Sequence, residues 1–546
     1  MKQMFISILI ILPLLLFSIE QLWDFNEADN SIVLWRYGNR YEAKIENGIL
    51  YLVNGGISNN HKNVALFPAL DNKRYQTIDL VWKMYITPGA EGCGIALLNT
   101  EIISTDSLDL NLEKWQEPNI EGSFAIGFDI CNPATSAWFG PDGNFYNRPQ
   151  REISLHWNGK EIKKIMSPFE FRADPQKDDD FISFHLQIQQ ATGGSDVSLL
   201  IDGETVFDKI FIAEMQPYPF RLAMGGQTSD LTTTIILDDI LLKMENEAKF
   251  IKKPISLKAI EQQPVFIDFR ETRHQVLFPD FKEQIGRVIL TLEMTDMPGG
   301  FDPWDRGAAI YIWQDSVRYE ICRFITPYNR GYVWKIDVTD FLPLFCGEKQ
   351  IDLRVDTWQK KEKNPQDQIG WYVSVDLDFY LGKPKRLPIK VVNLWTGSFF
   401  YGDLLDPMSK HLPQLKLIMP SEADDARLRL MVTGHGMHPN TNNAAEFLPA
   451  GRTVFVNGQK FENQLWKTDC YLNSCRPQDG TWKFDRAGWA PGSIVEPWII
   501  ELKEIASPQE MLTLDYLPMA YRNLSEGDHW RANHWFETQI IFYSTP

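Results

Sequence analysis

The most chemically suggestive string in the chain is Met297-Pro-Gly-Gly-Phe-Asp-Pro-Trp-Asp-Arg306, which runs straight into an apolar alternation over 308–313. A carboxylate directly before an arginine, at the mouth of a strand and after a Pro-Gly-Gly turn, is held on a defined edge. In that position Asp305 can act as base or nucleophile, with Arg306 holding a hydroxyl or a carbonyl. An isolated Trp-Asp-Arg is more often a surface turn with an ion pair, so the string needs support from its surroundings. A second segment offers an acid beside an aromatic ring. In the strand expected over 351–358, Ile351, Leu353 and Val355 alternate to one side and leave Asp352, Arg354, Asp356 and Trp358 on the other. An acid and a tryptophan on one exposed face would grip a sugar. A third cluster, Gly434-His-Gly-Met-His-Pro439, presents His435 and His438 as metal ligands. The chain has nine His and no further clustered pair, so the expected metal count is none.

The elements that must position these residues are strands. Hydrophobicity alternates with period two almost everywhere, as in Phe184, Leu186 and Ile188 and again in Val197, Leu199 and Ile201. Asn158-Gly159 and Asn457-Gly458 sit between alternating runs and predict hairpins. Further strands are expected over 288–294, 308–313, 351–358, 371–381 and 427–433, and long amphipathic helices are missing after the N-terminal leader. The fold class read from this pattern is all-β. Residues 246–263, rich in Lys, Glu and Gln before Pro264, read as a linker, and Pro384 and Pro388 mark a softer boundary over 382–388. Three sandwich-sized units result, at 20–245, 264–384 and 389–546.

Composition narrows the setting. With 72 acidic and 54 basic residues among 546, the formal charge is −18. That balance disfavours nucleic acid or an anionic membrane as the main partner. Residues 1–19 read as an export signal, with Lys2 before an apolar run, so a secreted, periplasmic or cell-surface location is expected. The six Cys fall two by two, Cys93 with Cys131, Cys322 with Cys346 and Cys470 with Cys475, which in that compartment reads as one local bridge per unit. Eighteen Trp are shared between packing and sugar stacking in proportions that composition leaves open; Trp115, Trp138 and Trp157 are the platforms considered in the first unit.

Two resemblances organise these observations. The first unit, with Ser123-Phe-Ala-Ile-Gly-Phe-Asp129, the Asn158-Gly159 hairpin and Phe220-Arg-Leu-Ala-Met-Gly225, resembles the concanavalin A-like lectin and glucanase sandwiches. It lacks the Glu-x-Asp-x-x-Glu spacing of the glucanases, which favours a glycan-binding or structural role. The remainder resembles the bacterial peptide:N-glycosidase F family. The blocks are Trp304-Asp-Arg306, Glu320-Ile-Cys-Arg-Phe-Ile-Thr-Pro-Tyr328, Asp356-Thr-Trp358, Thr433-Gly-His-Gly436, Asn443-Ala-Ala-Glu-Phe447, Gly480-Thr-Trp482 and Asp485-Arg-Ala-Gly-Trp-Ala-Pro-Gly492, in the family's order over about 266–546.

The resemblance implies two tandem eight-stranded antiparallel jelly rolls with a site between them. It also implies hydrolysis of the amide joining Asn to the first N-acetylglucosamine of an N-glycan, without a cofactor. Residue by residue it gives Asp305, Glu446 and Asp356 as the acids, and Trp304, Arg306, Trp358, His435 and Arg486 as substrate-binding residues. N-glycoproteins or glycopeptides are the expected substrates, and a monomer is expected. Asp356 stands where the family has Glu, and Ala444, Leu448 and Ala490 stand where it has Cys. A non-catalytic N-glycan lectin is the alternative: it would keep the Trp walls and tolerate loss of the acids, which are present.

Overall fold

The computed structural model describes residues 18–545 except 27–30, 38–42, 55–61, 88, 90, 104–113, 131–136, 140–144, 148–150, 168–180, 229–232, 249–252, 282–283, 360–363, 365–366, 439–442 and 524–531. The chain is almost wholly β, as its alternation requires. Its backbone divides into two compact units. One is Met1–Pro133, Gln150–Ile162 and Ser167–Ile251; the other is Lys252–Pro546 with two short excursions, Ala134–Pro149 and Lys163–Met166. Among the described residues no helix is long and apolar enough to cross a membrane.

The first unit is built on an eight-stranded and a seven-stranded antiparallel sheet. Trp82 and Phe184 stack at 4.9 Å on adjacent strands, and Phe128 of the other sheet meets Phe184 edge-on at 5.3 Å. Asn158 and Gly159, at φ 51° and 74°, form the expected tight turn, as do Asn457 and Gly458 in the second unit, at 49° and 85°. Positive φ at both central residues matches the right-handed strand twist, which is why Asn-Gly is favoured there. Trp115 is fully buried in this unit's core and cannot be a sugar platform. Trp157 stacks on Tyr218 at 5.7 Å, and the Trp138 side chain lies outside the described residues. The leader expected over 1–19 also lies outside them, except that a strand already begins at Ser18 and pairs with Ile235–Glu247.

The second unit contains four sheets of four strands. From Ile255 to Leu381, eight strands numbered in chain order lie as 1-8-3-6 in one sheet and 2-7-4-5 in the other. From Leu387 to Ser544 the same order recurs, with the two-residue strands Met437–His438 and Ala444–Ala445 set aside. This wrapping is the jelly roll, twice. Each has its own apolar core, and the first core also takes in Val391, Ile541 and Tyr543 from the second roll. In Trp371–Leu381 the odd positions Trp371, Val373, Val375, Leu377 and Phe379 are buried while the polar residues between them face out. At about 1.5–3 kcal/mol for each large side chain buried, one such face outweighs any local propensity.

Asn533–Ser544 departs from this alternation, being buried at all positions but its ends. Phe536, Ile540 and Phe542 fill the second core, whereas Trp535, Glu537, Gln539, Ile541 and Tyr543 face the first jelly roll. Buried polar residues appear here because the strand is covered on both faces.

Three expectations need correction. The supposed linker over 246–263 carries the strand Ile255–Val265, paired with Trp371–Leu381. It is an edge strand with two register shifts, and charged, bulged edges are how a sheet avoids further pairing; that polarity hid the strand. The strand expected over 351–358 ends at Val355, and Asp352 on its supposedly exposed face is fully buried, accepting from Trp313 Nε1 at 2.6 Å. Finally, Cys322, Cys346, Cys470 and Cys475 are free thiols, so the bridges 322–346 and 470–475 are absent. Cys322 points into the first core and Cys346 is exposed, while the Cys470 thiol faces the carbonyls of Lys467 and Trp489 at 3.6 and 3.4 Å. Burial pushes the Cys322, Cys470 and Cys475 thiols up to about 12, which keeps them protonated and inert. Cys93 is also a buried thiol, and its expected partner Cys131 lies outside the described residues.

Candidate active site

The Pro-Gly-Gly turn does what its composition suggests. Gly300 N donates to Met297 O at 2.8 Å, and Gly300 adopts φ +93°, a region open mainly to glycine. The chain then enters a knot tied by Asp302, a residue the sequence reading passed over. Asp302 is fully buried. Its Oδ1 accepts from Trp304 N at 3.0 Å and from Arg306 Nη2 at 3.0 Å, while Oδ2 accepts from Arg306 Nε at 2.7 Å and Thr357 Oγ1 at 2.6 Å. An aspartate accepting from the amide two residues on is a local turn device, and Asp-Pro-Trp is its sequence signal. Arg306 is thereby fixed as a buried platform whose guanidinium lies 3.7 Å from the centroid of the Trp358 ring. Trp304 and Trp358 themselves are 55% and 63% exposed, unusual for such large rings and suited to a ligand face.

Asp305, between these two residues, points into a polar cluster shared by both jelly rolls. Tyr328, just past the strand Val317–Ile325, acts on its titration from close by. Tyr328 Oη also meets Thr481 Oγ1 at 3.1 Å, and Thr481 Oγ1 accepts from Arg486 Nη2 at 2.7 Å. Arg486 Nε in turn donates to Glu446 Oε1 at 3.1 Å. Glu446 is placed by its backbone: its N–H donates to Gly436 O at 3.0 Å, and its carbonyl accepts from Ala487 N at 2.9 Å. Arg486 is 1% exposed and packs against the rings of Trp489 and Phe447, 4.7 and 5.3 Å from their centroids. Its Nη1 has no hydrogen-bond partner among the described residues.

Burial dominates the electrostatics. It raises Glu446 to about 7, with the Asp305 charge adding to the rise and Arg486 opposing it. Burial also raises Asp305, opposed by Arg486, by Tyr328 and by Arg306. Two carboxyls on either side of one guanidinium, in surroundings that treat them differently, are the raw material for an acid–base pair.

The other expected residues lie around this cluster. Asp356 is held by Arg354, which donates from Nε at 2.9 Å and from Nη2 at 3.0 Å. His435 Nε2 engages Thr433 Oγ1 at 2.8 Å and its ring stacks on Trp489 at 5.3 Å. Burial and neighbouring Arg323 drive its value down to about 3, so it is neutral. The His438 side chain lies outside the described residues. Among the described residues, acids able to converge on a metal lie elsewhere: Glu117, Asp129 and Glu152 in the first unit have ligand atoms within 4.8 Å of one another, and each has partners of its own.

Behind the cluster, Arg323 and Glu320 form a sealed ion pair. Arg323 donates to Glu320 from Nε and Nη2, at 3.1 and 3.0 Å. Its Nη1 donates to Thr433 Oγ1 at 2.9 Å and Trp535 O at 2.8 Å across the roll boundary, and its plane lies 3.7 Å from the Trp535 ring centroid. Asp302, Tyr328, Thr481 and this pair escaped assignment from sequence, although all but Asp302 lie within strings that carried the resemblance.

Residues 405–539 match the family model described as Peptide-N-glycosidase F, C terminal. This part of the chain is thus similar to the C-terminal part of peptide-N-glycosidase F. The curated peptide-N(4)-(N-acetyl-beta-D-glucosaminyl)asparagine amidase F of Elizabethkingia miricola is 32% identical over 211 residues. The aligned stretch covers 36% of this chain and 57% of that relative, under two thirds of its length. A crystal structure of a peptide-N(4)-(N-acetyl-beta-D-glucosaminyl) asparagine amidase is 24% identical, covering 54% of this chain and 96% of the other at a TM-score of 0.47. A structure of PNGF-II covers 86% of this chain and 99% of its own, at 12% identity and a TM-score of 0.42.

Proposed function

We propose that the chain is an exported amidase that hydrolyses the bond between an Asn side chain and the first N-acetylglucosamine of an N-glycan. The observation that carries this reading is the placement of Asp305 and Glu446, one from each jelly roll, around the buried Arg486 and beside the exposed rings of Trp304 and Trp358. The family match over 405–539 and the named relative support the same reaction class. Asp305 takes a proton from water as the oxygen attacks the amide carbon. The positive charge of Arg486 stabilises the oxyanion that develops. Glu446, whose carboxyl stays protonated up to about 7, passes its proton to the departing nitrogen. The carbon–nitrogen bond breaks, leaving Asp on the peptide and a glycosylamine.

Arg306 serves here by fixing Trp358, since its own guanidinium is engaged by Asp302. Trp304 and Trp358 stack on the core sugars, His435 and Asp356 line the approach, and Arg354 aims the Asp356 carboxylate. The substrates are N-glycoproteins or glycopeptides. A division into a first unit and two jelly rolls that begin at Ile255 and Leu387, the export signal and a glycan-binding role for the first unit belong to this proposal. Treating a denatured N-glycoprotein and weighing the former glycosylation site tests it: Asp without sugar supports the amidase. A single N-acetylglucosamine left on Asn would mean an endoglycosidase, and unchanged glycopeptide bound to the protein would favour a lectin.

A further inference from the structure

We propose that Asp302 is a positioning residue that holds Trp304 and Trp358, rings from two separate segments of the first jelly roll, as a single sugar clamp. What the rings hold rests on the amidase reading; their coupling rests on geometry alone. Asp302 accepts four hydrogen bonds, two on each carboxylate oxygen, and these lead to both rings. Trp304 is reached directly, since its own backbone N–H donates to Oδ1 at 3.0 Å. Trp358 is reached by two routes. The Thr357 hydroxyl donates to Oδ2 at 2.6 Å and accepts the Gln359 N–H at 3.4 Å, so the residues on either side of Trp358 close on one hydroxyl. The second route runs through Arg306, whose Nε and Nη2 spend the edge of the guanidinium on Asp302. That leaves its face for the Trp358 ring, whose centroid is 3.7 Å away.

The chemistry of the position calls for a carboxylate. Every group that meets the Asp302 side chain is a donor, and a carboxylate offers acceptors alone. Asparagine has the same shape but would turn an NH2 group toward two of those donors and leave the buried Arg306 without its counter-charge. The knot is anchored in the roll. Arg306 N donates to Thr326 Oγ1 at 2.9 Å, Thr326 N donates to Arg306 O at 3.0 Å, and Asp302 O accepts from Asn329 N at 3.2 Å. Asp302, Arg306 and Thr357 are buried, whereas the two rings they carry stand more than half exposed. Rings so exposed make few packing contacts of their own, so their aim is set from the buried side.

The test reads both rings in the whole protein labelled with fluorotryptophan, their fluorine NMR signals assigned by their loss in Trp304→Phe and Trp358→Phe. Thr357→Val keeps the shape of the side chain but removes its donor, beside Trp358 and far along the chain from Trp304. Both fluorine signals should shift, and Thr357→Ser should return both to their wild-type positions. Asp302→Asn, which disturbs every bond of the knot, should shift both further. On an N-glycopeptide, Thr357→Val should raise KM about fivefold with a smaller fall in kcat, and Thr357→Ser should restore it. Either signal staying put in Thr357→Val, or both remaining displaced in Thr357→Ser, overturns the inference. An unchanged KM in active Thr357→Val overturns the clamp. If Thr357→Val does not fold, Thr357→Ala is read in the same way. A wild-type protein that releases no glycan would instead sink the amidase reading, and the fluorine signals would still decide whether Asp302 couples the rings.

Discussion

Two arginine–glutamate pairs with a buried guanidinium lie in the second unit and meet opposite fates. Arg323 spends every nitrogen: Nε and Nη2 on Glu320, Nη1 on Thr433 and Trp535. Arg486 gives Glu446 a single hydrogen bond, puts two into Thr481 and leaves Nη1 over. Glu320 is sealed, whereas the Glu446 side chain keeps 21% of its surface open. The first arrangement is what a buried ion pair needs to be tolerated, since its desolvation must be offset by geometry and extra hydrogen bonds. The second leaves a carboxyl with a single hydrogen bond to its arginine, and burial raises it to about 7, where it can give up a proton near neutral pH. Burial is common to both pairs; completeness of solvation by the protein separates structure from chemistry.

Replacing groups on either side should break the contrast in different observables. Asp305→Asn should reduce glycan release by roughly a thousandfold or more with little change in Tm; a loss of stability in place of activity would move Asp305 to the structural side. Arg323→Met leaves Glu320 buried without its partner and should destabilise the fold by about 3–5 kcal/mol, read by denaturant unfolding. A change under about 1 kcal/mol would show that the pair is not sealed. Glu446 sets the pH response. A carboxyl whose folded value exceeds its ordinary 4.5 favours the protonated protein, so its contribution to stability is complete below about 4.5 and is lost as pH rises through about 7. Because the protonated form donates, kcat should also decline above about 7, and Glu446→Gln should be slow and without that limb. An alkaline limb retained in Glu446→Gln assigns it to another group. Trp358→Ala should raise KM about three- to tenfold with a smaller effect on kcat, and unchanged KM would remove Trp358 from the sugar face.

Much of this is legible in the amino-acid sequence alone. Alternation of period two and the Asn-Gly turns announce a β protein, and the strand Trp371–Leu381 reads residue by residue. Asp305, Arg486 and Glu446 were visible as types in rare strings. What escaped was partnership. Asp352 alternates like a surface residue, and only the neighbouring Trp313 explains its burial. The Ile255–Val265 strand carries the Lys and Glu that protect a sheet edge, which in a sequence look like a linker. Cys322 and Cys346 are spaced like a bridge, but one faces the core and the other the solvent. Tyr328 and Thr481 are more than a hundred residues apart, and nothing local shows that one hydroxyl will meet the other.

The most direct measurement is the labelled product. Wild-type protein and Asp305→Asn are incubated with an N-glycopeptide in heavy-oxygen water, and the peptide is analysed by mass spectrometry. The account predicts Asp carrying one heavy oxygen and no sugar with the wild type, and intact glycopeptide with the variant. Unlabelled Asn bearing a residual N-acetylglucosamine, or equal release by the two proteins, would contradict it.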